Sequence, residues 1–260
     1  MHQNRDMGIT TIRSRGVHCS GMGLGVILLD EVYPGFPGDV RNPSAFAYPI
    51  QYEVAHGLDI KKLLYDDDKS PHLETILTAA RRLQKMGCRA IFAECGYFAR
   101  FQKLLAARLE VPVFTSSLLQ VPWAQSLIAS DRLVGILMSA KDALEPAHLE
   151  AVGIRKDGNH VIGDAMGAGQ CPEFDKLWTA GLRPEIPQAD YQRAEAAFLA
   201  AATAFYGQHP RMGAMVLECT GFQPFARALQ RKIDLPVFSW GTLMDFAFSI
   251  TVHRDYYGHV

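Results

Sequence analysis

The sequence lacks the features that mark membrane-spanning, secreted or nucleic-acid-binding proteins. It contains no apolar run approaching the ~18 residues that a membrane helix needs, and its start has no apolar signal-peptide segment. The formal net charge is −1, so a polyanionic partner is not expected. We therefore expect a cytoplasmic protein that binds neither membranes nor nucleic acid.

Paired cysteines and metal-ligand spacings are lacking as well. Five cysteines are scattered through 260 residues without a CxxC pair, and in a reducing compartment they are expected to be free thiols. His72-Leu-Glu begins like a zinc-deaminase motif, but no PCxxC follows it. We therefore predict no metal site.

An internal repeat is the main feature that the sequence does contain. Residues 90–101 recur as residues 214–225 without a gap, and each copy runs on to a Pro-Val-Phe segment. Glu94-Cys95 matches Glu218-Cys219, although the residues around them differ. Two copies at so long a spacing indicate two similar halves rather than a solenoid.

Each copy has the pattern of a buried parallel strand followed by a helix. The apolar runs at 90–93 and 214–217 have strand length, and the phenylalanines after them recur at helical spacing. Cys95 and Cys219 are thus predicted at the carboxyl end of a strand, where ligands bind in open α/β sheets. The N–H groups of the following helix favour a thiolate, so we expect a lowered pKa for both cysteines.

The rest of the pattern extends the copies into two lobes. Further strands are predicted at 25–30, 132–138 and 160–163, a long helix at 189–206, and a final helix at about 242–252 that returns to the first half. The predicted fold is α/β, with two similar three-layer lobes of mostly parallel sheet. A pseudo-twofold axis relates the lobes, and the active site lies in the cleft between them.

The chain is predicted to divide unequally between the lobes. Residues 1–22 are polar and without pattern, and we expect a disordered leader there. Residues 23–130 together with 240–260 form the first lobe, and residues 131–239 form the second. A proline-rich loop from Glu31 to about Ile50 leaves a strand end and is expected to cover the substrate.

Two facing cysteines could form a disulfide, a metal site, a redox couple or an acid–base pair. A reducing compartment disfavours the first, missing partner ligands the second, and separation in sequence the third. An acid–base pair explains the matched positions. One thiolate removes a proton from a carbon beside a carboxylate, and the opposite thiol donates one to the other face. We therefore predict that Cys95 and Cys219 are catalytic in a racemase or epimerase.

Further residues are predicted to bind the substrate, because they follow a cysteine, end a strand or lie in the long loop. They are Asn42, Gly96, Tyr97, Ser116, Ser139, Thr220 and Gly221. Backbone N–H groups after each cysteine are expected to hold the carboxylate oxygens of the substrate. Ser116 has two interpretations that the sequence does not separate, namely a helix cap and a ligand contact.

Other side chains are predicted to be structural. Cys88 is expected to pack in the core, Cys171 has no spacing that indicates catalysis, and His148 is expected on a helix surface. Glu94 and Glu218 should point away from the cysteines and hydrogen-bond neighbouring backbone, since side chains alternate along a strand.

The chain resembles the aspartate/glutamate racemase superfamily, which includes hydantoin racemases, from about Gly23 onward. The resemblance is carried by residues 25–30, by Gly38-Asp-Val-Arg-Asn, by Glu94-Cys-Gly-Tyr-Phe and by Leu217-Glu-Cys-Thr. It implies a two-lobed α/β fold and catalysis without a cofactor. It also implies a small carboxylate or amino-acid substrate and a homodimer.

The same resemblance implies that Cys95 and Cys219 are catalytic and that Ser139 and Thr220 contact the substrate. The chain departs from glutamate racemases after each cysteine, where Gly96-Tyr97 replaces Asn-Thr and a glycine replaces histidine. Two alternatives therefore stay open. One is an enzyme similar to arylmalonate decarboxylase or maleate isomerase that uses one cysteine, and the other is a non-catalytic protein that binds small carboxylates.

Overall fold

Two parallel four-stranded sheets organise the protein. The computed structural model describes residues 16–32, 35–166, 171–179, 185–254 and 256. The strands are β1 Leu24–Leu29, β2 Ile50–Ala55, β3 Ala90–Ala93, β4 Val113–Phe114, β5 Leu133–Met138, β6 His160–Asp164, β7 Met212–Leu217 and β8 Val237–Phe238. Their order is β2-β1-β3-β4 in the first sheet and β6-β5-β7-β8 in the second, so the two halves have the same topology.

Helices flank both sheets, which confirms the α/β prediction. The α-helices are α1 Ile60–Tyr65, α2 His72–Met86, α3 Gln102–Ala106, α4 Val121–Leu127, α5 Pro146–Ala151, α6 Pro172–Trp178, α7 Tyr191–Gly207, α8 Ala226–Ile233 and α9 Trp240–Thr251. Short 3₁₀ helices occupy Pro43–Ala45, Gly96–Phe101, Ser117–Gln120, Lys141–Ala143 and Thr220–Phe225.

The core is continuous between the lobes because apolar strand faces meet there. The largest buried cluster joins Ile27, Leu83 and Phe98 of the first lobe to Ile136 and Val216 of the second. Burying aliphatic side chains of this size contributes about 1.5–3 kcal/mol each, so this contact resists separation of the lobes. The edges of the cleft are therefore held at a fixed spacing.

The final helix covers the outer face of the first sheet. Trp240, Met244 and Ala247 of α9 are buried against Val26 of β1 and Phe92 of β3. Helix α9 begins at a capping box, in which the Ser239 N–H donates to Thr242 Oγ1 at 2.9 Å. The helix thus returns to the first half, as its apolar pattern predicts.

The structure differs from the predictions in two segments. Strand β2 and helix α1 were not predicted, because Ile50–Ala55 alternates apolar and polar residues directly after the proline-rich loop. Residues 1–15 of the predicted leader lie outside the described residues. Within residues 16–22, the His18 N–H donates to the Lys85 carbonyl at 2.9 Å, and the disorder of the leader stays a prediction.

The described part of the chain has no helix that is both long and apolar enough to cross a membrane.

Candidate active site

Cys95 and Cys219 open into one cavity of about 160 Å³. Cys95 directly follows the residue after β3, and Cys219 holds the same place after β7. Each is the N-cap of a 3₁₀ helix and has extended backbone, with φ of −120° and −77°. The repeat therefore places one thiol on each lobe at the same point of its sheet.

Backbone N–H groups point at both sulfur atoms. The Tyr97 N–H bonds to Cys95 and the Gly221 N–H to Cys219, and each bond acts to lower the pKa of the thiol. Burial is the larger effect, however, and it raises both pKa values well above the ordinary range, with the Glu218 charge adding to it. The prediction of lowered thiol pKa values is therefore wrong.

The two thiols differ in one further contact. The Ser139 hydroxyl hydrogen-bonds to Cys219 and acts to lower its pKa, while no such hydroxyl acts on Cys95 in the described residues. A hydrogen bond to the charged form of a thiol stabilises that form. Cys219 is thus the sulfur better supported as a thiolate.

The wall of the cavity combines aromatic and acidic side chains from both lobes. The first lobe contributes Glu31, Ile60, Lys61, Leu64, Tyr65, Glu94 and Tyr97, and the second contributes Ser139, Met166, Trp178, Thr179 and Thr220. Strand ends and the helices α1 and α6 bring these residues together from segments far apart in sequence. Such a wall can hold a small ligand that has both a charged and an apolar part.

Several predicted binding residues reach the cavity and others support it from behind. Tyr97, Ser139 and Thr220 line the cavity. Gly96 lies against the Glu218 carboxyl group and Gly221 lies under the Trp178 ring, so at each a Cβ atom would collide with that side chain. These two glycines act by leaving room for a neighbour.

Asn42 and Ser116 have structural roles instead. The Asn42 side chain caps the 3₁₀ helix at Pro43–Ala45, where its Oδ1 accepts from the Ser44 N–H at 3.2 Å. Ser116 caps the next 3₁₀ helix by accepting from the Leu118 N–H at 3.2 Å. Neither residue lines the cavity, so the prediction that Asn42 faces the ligand is not supported.

Arg41 is the loop residue that serves the site. Its guanidinium forms an ion pair with the buried Glu94 carboxylate and donates to the Glu31 carbonyl at 2.7 Å. Glu94 also accepts from the Leu29 N–H at 2.7 Å. Burial raises the pKa of Glu94 to about 7, while these donors oppose the rise. The first-lobe carboxylate is therefore held by a cation that the sequence pattern did not reveal.

Glu218, the repeat counterpart of Glu94, forms no ion pair with a cation of the described residues. It is wholly buried, and its Oε2 accepts long bonds from the Ser139 N–H and hydroxyl, at 3.4 and 3.5 Å. Burial raises the pKa of Glu218 to about 8. Its charge acts to raise the pKa of both cysteines. The expectation that Glu94 and Glu218 hydrogen-bond backbone is confirmed by the Leu29 and Ser139 N–H groups.

Tyr97 fixes the second-lobe wall from the first lobe. Its hydroxyl donates to the Ala140 carbonyl and accepts from the Ala140 N–H at 3.1 Å. The His148 ring packs edge-on against Tyr97 at 5.6 Å and is buried, so the prediction of a surface His148 is wrong. These contacts hold the backbone of Ala140, which is next to Ser139.

Of the remaining cysteines, Cys19 is exposed, and Cys88 and Cys171 are buried away from the cavity. Cys88 lies in the first core, and burial raises its pKa to about 12. The Cys171 thiol donates to the Ala165 carbonyl at 3.2 Å. Within the described ranges, no group of three or more histidine, cysteine or acidic residues could hold a metal ion.

No protein-family model matches the chain, but curated sequences do. It is 27% identical over 228 residues to a dimethylsulfoniopropionate lyase of Durusdinium sp. clade D, covering 86% of this chain and 73% of that protein. It is 30% identical over 222 residues to dimethylsulfoniopropionate lyase 6 of Emiliania huxleyi (strain CCMP1516), covering 83% and 56%. Against the Emiliania huxleyi relatives, the chain spans between 46% and 64% of their length.

Solved structures with the same fold are enzymes of the racemase superfamily. Unliganded arylmalonate decarboxylase superposes with a TM-score of 0.55 at 14% identity, covering 92% of this chain and 97% of that one. The aspartate racemase of Picrophilus torridus gives a TM-score of 0.55 at 13% identity, with coverage of 91% and 96%. Allantoin racemase from Klebsiella pneumoniae gives 0.54 at 16%, with 89% and 88%. The resemblance to this superfamily is thereby confirmed as a shared fold.

Proposed function

We infer that this chain, which has the fold of the aspartate/glutamate/hydantoin racemase superfamily, is a lyase that eliminates a leaving group from a small carboxylate. Dimethylsulfoniopropionate is the proposed substrate. The observation that carries the proposal is that two thiols and Ser139 meet in one cavity beside an acidic and aromatic wall. The named lyases support it, since they match 83–90% of the chain at 26–30% identity, against 12–16% for the racemases and decarboxylases.

In the proposed reaction, the Cys219 thiolate is the base. It takes the proton from the carbon beside the carboxylate, so that a C–H bond breaks and an S–H bond forms. The freed electron pair becomes the C=C bond of acrylate, and the C–S bond breaks with its electrons on sulfur, which leaves as dimethyl sulfide. The proton on Cys219 then passes to water. Backbone N–H groups after the cysteines are proposed to hold the carboxylate.

The cavity wall supports a cationic substrate. The Trp178 and Tyr65 rings and the Glu31 carboxyl group line the same cavity as the cysteines. Aromatic faces attract sulfonium and ammonium groups, by about 0.5–2 kcal/mol. We therefore propose that the sulfonium end lies toward this wall and the carboxylate toward the strand ends.

Release of dimethyl sulfide from dimethylsulfoniopropionate tests the proposal. Headspace gas chromatography should detect release by the wild-type protein. The Cys219→Ser variant should lose activity by about a thousandfold, because a serine hydroxyl is not ionised at neutral pH. The Cys95→Ser variant should stay within about tenfold of wild type, since elimination needs only one base. Absence of release from the folded wild-type protein would rule out this substrate.

A racemase or epimerase is the second candidate, and the matched positions of Cys95 and Cys219 favour it. Inversion needs a base on one face of the carbon and an acid on the other. In that case either serine variant should be inactive, and solvent deuterium should appear at the α-carbon of amino acids or hydantoins. No isotope exchange across such a panel, together with dimethyl sulfide release that depends on Cys219 alone, would exclude it.

A further inference from the structure

Glu218 is a buried acid directly before Cys219 that the proposed reaction does not use. Its backbone is fixed, because the Ser117 hydroxyl donates to the Leu217 carbonyl at 2.6 Å and the Trp240 indole donates to the Glu218 carbonyl at 2.6 Å. Its Oε1 accepts no hydrogen bond from any described residue. A buried charged carboxylate without a partner would cost several kcal/mol.

Gly96 makes room for this carboxyl group. A Cβ atom there would collide with Glu218 Oε1, whereas the repeat counterpart of Gly96 is Thr220, which carries a side chain. The carboxyl group of the second lobe therefore lies against the residue that follows Cys95. Glu94 does not make the reciprocal contact, since Arg41 holds it.

The groups around Glu218 set its charge. The titratable groups on which it acts are Cys95, Cys219 and Tyr97, and its donors are the N–H and hydroxyl of Ser139. All three titratable groups become negative when they ionise, so each opposes a charge on Glu218. The acid Glu94 also acts on Cys95, and the acid Asp39 also acts on Cys219.

We propose that Glu218 is a positioning residue that works as a neutral carboxylic acid. Its Oε1–H stabilises a single negative charge on whichever of the two neighbouring sulfur atoms, of Cys95 or of Cys219, is ionised. This inference rests on the proposed function only in requiring a thiolate base. One proton on Glu218 lets one thiol ionise without placing two like charges in a buried site. When Glu218 ionises, its charge opposes the thiolate.

The sign of the pH dependence follows from burial. Burial raises the pKa of Glu218 to about 8, so the group is neutral below that pH and ionises above it. Below about pH 8 the thiolate fraction grows with pH in the ordinary way. Above it, the Glu218 charge holds the proton on sulfur, and the thiolate fraction stops rising.

Alkylation by iodoacetamide measures this directly, since only the thiolate reacts. Rates at Cys95 and Cys219 should be followed by peptide mass spectrometry from pH 6 to 9.5 in wild type, Glu218→Gln and Glu218→Leu. The wild-type rate should flatten near pH 8. The glutamine variant keeps a neutral donor, so it should match wild type within about threefold at pH 7 and exceed it about tenfold at pH 9.

The leucine variant has no donor and should react about tenfold more slowly than the glutamine variant at pH 7. Glu94→Gln is the matched comparison from the other repeat and should keep the flattening near pH 8.

The proposal is overturned if Glu218→Gln flattens as wild type does, or if the leucine variant reacts as fast as the glutamine variant. Urea unfolding of each variant controls for folding. If leucine prevents folding, the wild-type and glutamine profiles still decide the outcome.

The alkylation result and the lyase result separate cleanly. Altered profiles without dimethyl sulfide release would retain the role of Glu218 and reject the substrate. Release of dimethyl sulfide that depends on Cys219, with an unaltered Glu218→Gln alkylation profile, would retain the substrate and reject the role of Glu218.

Discussion

The Trp178 ring forms its part of the cavity wall by lying over Gly221. The ring stacks on Phe174 with centroids 4.7 Å apart, and a Cβ atom at Gly221 would collide with its far edge. In the other repeat, Tyr97 occupies the position of Gly221 and points to Ala140. The residue at this repeat position thus differs in effect between the lobes: Gly221 leaves room for the Trp178 ring, whereas Tyr97 extends its own ring to the other lobe.

Gly221→Ala should therefore displace Trp178. Overpacking of this kind costs about 1–3 kcal/mol of unfolding free energy, and the displaced ring should also raise KM for a cationic substrate. The measurements are urea unfolding and steady-state kinetics. Gly207→Ala is the matched control, because no atom lies within 4 Å of its added Cβ, and it should be neutral or slightly stabilising.

A second substitution identifies the cause. In the Trp178→Ala background the methyl group meets no ring, so the cost of Gly221→Ala should fall by at least about 1 kcal/mol. Equal costs in both backgrounds would show that the backbone, and not Trp178, makes alanine unfavourable at position 221.

Contacts between residues far apart in sequence could not be predicted for the site. The repeat located both cysteines, because a strand of fixed length and a helical spacing define their place. It could not locate Arg41 beside Glu94, since the two are joined only by the path of the loop. It also led to the wrong direction for the thiol pKa values, because helix N–H groups are visible in a sequence pattern while burial is not.

At the scale of elements, strand β2 was the largest omission. It pairs in parallel with β1 at the edge of the first sheet, with Leu24 opposite Ile50 and Leu29 opposite Ala55. The sequence pattern of an edge strand is a weak signal, because only one face of the strand packs on a core. Strands β3 and β7 are wholly buried or nearly so, and their continuous apolar runs were readable without a structure.

The end of α2 offers a test of how one residue stops an element. Gly87 is the C-cap of α2 and has a φ of 102°, and a Cβ atom there would collide with the Cys19 carbonyl. Gly87→Ala should thus lose about 1 kcal/mol for the left-handed backbone and a further 1–3 kcal/mol for the collision.

Gly57→Ala separates the two contributions. Gly57 has a φ of 84° but nothing within 4 Å of an added Cβ, so only the backbone cost should remain. Urea unfolding of both variants measures the difference. Equal losses would mean that residues 16–22 move away from α2 without a cost.

At the scale of the whole molecule, both lobes are joined by polar contacts around the cavity as well as by the core. Lys69 and Arg100 of the first lobe bind the Glu145 carboxylate of the second, at 2.7 and 2.9 Å. The hydroxyl of Tyr97, in the first lobe, also accepts from the Ala140 N–H of the second lobe at 3.1 Å. The sequence predicted two lobes and a cleft, but not these contacts, since no pattern links a lysine in one lobe to a glutamate in the other.

Glu145→Gln should reveal how much this ion pair holds the lobes together. The Lys69 side chain is 4% exposed, so it would keep its charge without a carboxylate partner and would have neutral acceptors instead, namely the glutamine amide oxygen and the Asp66 carbonyl at 3.1 Å. The expected loss is about 1–2 kcal/mol at pH 7, below the 3–5 kcal/mol of a fully buried pair, because Glu145 is 42% exposed. Glu150→Gln on the exposed side of α5 is the control and should change little.

The pH dependence of the same variant tests the electrostatic origin of that loss. The Lys69 contact lowers the pKa of Glu145, so the carboxylate contributes stability above its unfolded pKa of about 4.3 and loses it as the pH falls through the lowered folded value. The difference in urea midpoint between wild type and Glu145→Gln should therefore be largest near pH 7 and shrink toward pH 3. A difference that stays constant over this range would mean that glutamine disturbs packing at the lobe boundary, and that the charge of Glu145 contributes little.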